Sequence, residues 1–108
     1  MLLKKYFLGG SCKKDFDTEI KFYLASAKYD GADFVLLSIQ KVSDEVENSR
    51  LASCVSRVLN TLKKTGSVKF FVRSDQLEKN TTEAEYILNK FPSQLTVNEK
   101  YLDIYVKI

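Results

Sequence analysis

Apolar residues recur along this chain with two different periods, and the switches between them mark the elements. KKYFLG (4–9) reads as a short first strand, halted by Gly9-Gly10. In DFDTEIKFYLASAK (15–28), Phe16, Ile20, Tyr23, Leu24 and Ala27 fall at helical spacing and share one face. Asp15 or Asp17 can cap the start of that helix, and Asp30-Gly31 ends it. DFVLLSIQK (33–41) is an apolar run of strand formers and predicts a central strand. Ser43 opens the longest helix, running to Lys64, with a buried stripe of Val46, Leu51, Val55, Val58, Leu59 and Leu62. Asp44, Glu45 and Glu47 at its start and Lys63 and Lys64 at its end complement the helix dipole, and Gly66 terminates it.

SVKFFVR (67–73) predicts the next strand. Asn80 with Glu83, or Thr82 with Glu85, fits a capping box for a third helix that buries Ala84, Ile87, Leu88 and Phe91 and stops at Pro92. The segment YLDIYVKI alternates without a break. Leu102, Ile104, Val106 and Ile108 face one way; Tyr101, Asp103, Tyr105 and Lys107 face the other, as in a strand with one wet face. QLTV (94–97) can pair with it as a C-terminal hairpin across Asn98-Glu99.

The resulting order is β-α-β-α-β-α-β, with or without that hairpin. Alternating strands and helices predict an α/β domain: a mixed, mostly parallel sheet with helices packed on one or both faces. At 108 residues the chain is expected to form a single compact domain over 1–108.

Composition narrows the chemistry. A chain 44% hydrophobic and 29% charged fits a soluble globular protein and not a disordered one. No stretch approaches the ~20 apolar residues of a membrane helix, and two lysines interrupt the short apolar run of MLLKKYFLGG, so neither membrane nor secretory signal is expected. Cys12 and Cys54 do not make a disulfide framework. The expected location is cytoplasmic, or nuclear in a eukaryote. There is no histidine, which removes the commonest general base, the usual activator of a serine or cysteine nucleophile, and most zinc sites. No catalytic set, metal site or cofactor is therefore expected.

Charge gives the first candidate surface. Net charge is only +3, yet Arg50–Arg73 holds six basic residues and no acid. On the long helix, Arg50, Ser53, Arg57, Asn60 and Lys64 form a polar stripe that could track phosphates or be the solvated back of an amphipathic helix. On the following strand, Lys69, Phe71 and Arg73 share a face, opposite Val68, Phe70 and Val72. With Tyr101, Tyr105 and Lys107 they could line an open sheet face, suited either to stacked bases or to a protein partner. In such an open-sheet arrangement the helix stripe points away from that face, so one linear basic run becomes two separate surfaces.

Two other features carry competing readings. FLGGSCKKD (7–15) joins strand to helix and places Cys12, Lys13 and Lys14 near a helix start, an environment that favours anions and lowers a thiol pKa. It lacks the glycine spacing of phosphate loops, a CxxC partner, and an arginine six residues after Cys12, where Thr18 stands. Cys54 borders Leu51, Val55 and Val58 and reads as a small core residue. The acids Asp15, Asp17 and Glu19, like Asp44, Glu45 and Glu47, could hold a hard cation but are better explained as helix-start charges.

The leading expectation is a non-catalytic binding module working through protein–protein contact, as a subunit, adaptor or homo-oligomer. The alternative is a single-stranded nucleic-acid binder using the basic and aromatic sheet face. The third is a thiol-dependent enzyme using Cys12.

Overall fold

The structure, a computed structural model, describes residues 2–9, 16–76, 81–91 and 99–108. The elements run β1 (Leu3–Leu8), α1 (Phe16–Tyr29), β2 (Phe34–Gln40), α2 (Glu45–Lys64), β3 (Phe70–Arg73), a short 3-10 turn (Ser74–Gln76), α3 (Thr82–Lys90) and β4 (Tyr101–Lys107). The expected alternation of strand and helix is present, and the class is α/β. Cys12, Lys13, Lys14, Asp15, Asn80, Pro92 and the proposed hairpin strand 94–97 lie outside the described residues.

The strands form one mixed sheet in the order β1-β2-β4-β3. β1 and β2 pair in parallel, while β4 is antiparallel to both β2 and β3. β1, β2 and β3 therefore run in one direction, as crossover helices require. The mostly parallel pairing expected from the sequence narrows to one neighbour pair, because β4 inserts between β2 and β3 and reverses both ladders.

The apolar run of β2 is explained by its place. Sitting between β1 and β4, it has Phe34 to Ile39 buried on both faces. One face packs on α1 and α2 through Leu8, Val35, Leu37, Ile39, Ile104 and Val106, met by Ile20, Leu24 and Ala27 of α1 and by Leu51, Val55, Leu59 and Leu62 of α2. The other face gathers Phe34, Leu36, Val72 and Tyr105 beneath Ala84 and Ile87 of α3. Each large aliphatic side chain buried here contributes roughly 1.5–3 kcal/mol relative to exposure.

Local signals set the helix ends. Gly31 and Gly66 have φ of +78° and +83°. At each, the preceding helix closes with paired bonds: Ala32 N–H to Ala27 C=O and Gly31 N–H to Lys28 C=O; Ser67 N–H to Leu62 C=O and Gly66 N–H to Lys63 C=O. Asp44 caps α2, its carboxylate accepting from the N–H groups of Val46 and Glu47 at 2.9 and 3.4 Å. α3 starts one residue from either expected cap: the Thr81 hydroxyl accepts from Ala84 N–H at 3.1 Å.

Three side chains depart from the expected core. Val46 is 69% exposed. It lies nine residues before buried Val55, two and a half helical turns away, and so falls on the opposite side of α2. Leu88 is partly exposed rather than buried. Val68 joins the α1/α2 core instead of aligning with Phe70 and Val72, because its N–H still bonds the Leu62 carbonyl as the chain leaves the α2 turn.

Candidate binding surface

The register of β3 on β4 decides the fate of the expected sheet-face site. Phe70 sits opposite Lys107 and Val72 opposite Tyr105; Phe71 and Arg73 sit opposite Val106 and Ile104. Opposed residues share a face, so Phe71 and Arg73 lie on the α1/α2 side while Tyr101, Tyr105 and Lys107 lie on the α3 side. The alternation within each strand was legible in the sequence; the phase between the strands was not. The six residues are divided between two surfaces and do not form one platform.

Their individual environments differ as well. Phe71 is half-buried against the α1/α2 core. The Arg73 guanidinium forks onto the Asp75 carboxylate, with Nε–Oδ1 and Nη2–Oδ2 distances of 3.2 and 2.8 Å. It borders a cleft of ≈ 170 Å³ at the carboxyl end of β2, with Gln40, Lys41, Glu45 and Asn48. Tyr105 is buried, and burial, with the Asp103 carboxylate second, raises its pKa above the ordinary value of 10.0. The Lys107 ammonium lies 5.1 Å from the centre of the Phe34 ring and donates to the Asp33 and Ile108 carbonyls. Lys69 is exposed. On the face of β4 expected to be wet, Tyr105 is buried beneath α3, while Tyr101, Asp103 and Lys107 are half-buried.

Arg50, Arg57 and Lys64 all point to solvent from the outer side of α2, and Arg50 pairs with Glu47 at 3.6 Å. This stripe has the form of the solvated back of a helix. Cys54 is half-buried against the α1/α2 core, as its apolar neighbours implied.

The surface that stands out belongs to α1. Its inner face is core, yet Phe22 and Tyr29 on its outer side are 66% and 93% exposed. Seven residues separate them, so they lie on one stripe two turns apart, with Ala25 and Ser26 between. Ala25 is low enough to leave a depression on each side. One, of ≈ 420 Å³, is lined by Phe22, Ala25, Ser26, Tyr29 and Asp30. The other, of ≈ 430 Å³, runs along the seam with α2, where Leu24, Ala25 and Leu62 are flanked by Lys21, Lys28 and Thr65. An aromatic chain continues from this stripe towards the sheet edge: Phe22 meets Tyr23 edge-on at 6.1 Å, and Tyr23 stacks on Tyr6 at 4.5 Å. The Tyr23 hydroxyl donates to Glu19, and burial together with that bond raises its pKa above the ordinary value.

Sequence reasoning passed over Phe22 and Tyr29 because it sought the one apolar stripe that α1 needs for the core. The available signal was a second stripe on the same helix, Phe22, Ala25 and Tyr29, at the same helical spacing but turned outward.

Comparison of the chain with protein-family models, curated proteins and solved structures returns no match. Among the described residues no helix is long and apolar enough to cross a membrane.

Proposed function

We propose that this chain is a non-catalytic α/β binding module that acts through protein–protein contact, with the outer face of α1 as its contact surface. The observation that carries this reading is the exposure of Phe22 and Tyr29, at 66% and 93%, around one apolar depression, which at Ala25 meets a second one along the α2 seam. Scattered exposed apolar residues are ordinary on a monomer; contiguous ones with grooves between them are a feature of contact sites. Aromatic side chains are the usual anchors at such sites, since they bring much apolar area for little conformational entropy. Lys21 and Lys28 along the α2 side supply a polar rim.

Light scattering on the purified chain tests this, at rising concentration and after mixing with extract of the cells that make it. The expected result is a gain in mass, by self-association or by a partner, that Phe22→Ser/Tyr29→Ser removes without lowering the unfolding temperature. A strict monomer that gains nothing in either condition rejects the reading. So does a complex that the double substitution leaves intact.

A further inference from the structure

β1 presents a second surface of a different kind. Among the described strands it lies at the edge of the sheet, with β2 as its neighbour. The ladder phase fixes which backbone groups face outward. Leu3 aligns with Phe34, and Phe34 N–H bonds the Leu2 carbonyl at 3.4 Å. In a parallel ladder the backbone groups of Leu2, Lys4, Tyr6 and Leu8 then turn towards β2, and those of Leu3, Lys5 and Phe7 turn away from it.

Aromatic pairs flank this edge on both faces. On the α1 side Tyr6 stacks on Tyr23. On the α3 side Phe7, 57% exposed, meets Tyr101 edge-on at 5.6 Å, and the Lys5 ammonium lies 5.1 Å from the centre of the Phe7 ring. Lys4 pairs with Asp30 at 3.6 Å, which neutralises the α1 side, so Lys5 is the cation the edge offers on the α3 side.

We infer that the β1 edge accepts an extended acidic segment of another protein as a fifth strand. Outward-facing backbone groups supply the ladder, and alternate side chains set the preference. An acid opposite Lys5 on the α3 face and apolar residues against Tyr6 on the α1 face match what the edge presents. A second copy fits poorly, because antiparallel self-pairing centred on Lys5, the middle of the three outward-facing residues, sets the Lys5 side chains of the two copies opposite each other, and like charges opposed across strands are destabilising. This proposal concerns a different surface from α1 and stands without it.

Residue-resolved amide exchange on the isotope-labelled chain tests it, with an acetylated nine-residue peptide of alternating valine and glutamate as the probe. The peptide is expected to slow exchange at Leu3, Lys5 and Phe7 by about tenfold or more, and to leave Lys4, Tyr6 and Leu8, already in the ladder, unchanged. Lys5→Glu is expected to weaken binding by about tenfold, with the Tyr6 and Leu8 amides confirming an intact sheet. The valine–lysine counterpart is expected not to bind. Absence of binding at millimolar peptide, binding without protection of the three outward amides, or equal binding of the basic peptide overturns the proposal. A dimer whose outward amides are protected without peptide does so too.

Discussion

α1 and α2 lie side by side on the same face of the sheet and bury the same kind of residue inward, yet their outer sides are opposites. α2 shows Arg50, Ser53, Arg57, Asn60 and Lys64 to solvent, with Val46 in its first turn as the one large apolar side chain among them. α1 shows Phe22, Ala25, Ser26 and Tyr29. The core asks nothing of either outer side, so the contrast is not a folding requirement. A charged back keeps a helix soluble at no cost to packing; an aromatic back exposes apolar area that water disfavours. Function is therefore better sought at the aromatic back than at the basic run that dominates the linear sequence.

The contrast can be broken or sharpened from the inside out. The largest effects belong to the shared core. Leu24→Ala and Leu59→Ala, one from each helix, are each expected to destabilise by about 2–5 kcal/mol in denaturant unfolding, because both side chains are buried and leave cavities. A much smaller loss for Leu24 would mean that α1 packs only peripherally and that its outer face cannot be rigidly presented. Next comes the start of α2. Asp44→Ala is expected to cost about 0.5–2 kcal/mol through the two N–H groups its carboxylate now satisfies, and Asp44→Asn only a fraction of that.

A pH limb follows on the α3 side of the sheet. The folded state holds the Tyr105 proton more tightly than the unfolded chain does. Stability from this group is fully present below the ordinary tyrosine pKa of 10.0 and is lost as pH rises through the higher folded value, since the unfolded state then binds fewer protons. Tyr105→Phe is expected to make the alkaline decline of the unfolding temperature shallower. An unchanged decline would assign it to other groups. The smallest stability effects are the most informative. Tyr29→Ser on α1 and Arg57→Ala on α2 are both expected to stay within about 0.5 kcal/mol of wild type, so that any difference between them in binding is free of a folding contribution.

Much of the fold was readable from periodicity. The three helices, the central position of β2 and the core face of β4 follow from residues whose spacing matches one face of one element. What the sequence could not convey was anything set between elements. The insertion of β4 between β2 and β3, and the register that puts Tyr105 beside Val72 rather than Phe71, depend on ladders between segments about 67 and about 34 residues apart. The placement of Val46 was recoverable, since its distance from Val55 already put it on the wrong side of α2. The candidate surface on α1 was also written in the chain, as the outward stripe Phe22, Ala25 and Tyr29, whereas charge on the back of a helix is what solubility alone produces.

The most direct test places a benzophenone amino acid at position 29 in one variant and at position 57 in another and irradiates both in cells expressing the chain. The account predicts one dominant adduct from position 29, with a partner or a second copy, that Phe22→Ser abolishes, and no such adduct from position 57. The same adducts from both positions, or none from position 29, would contradict it.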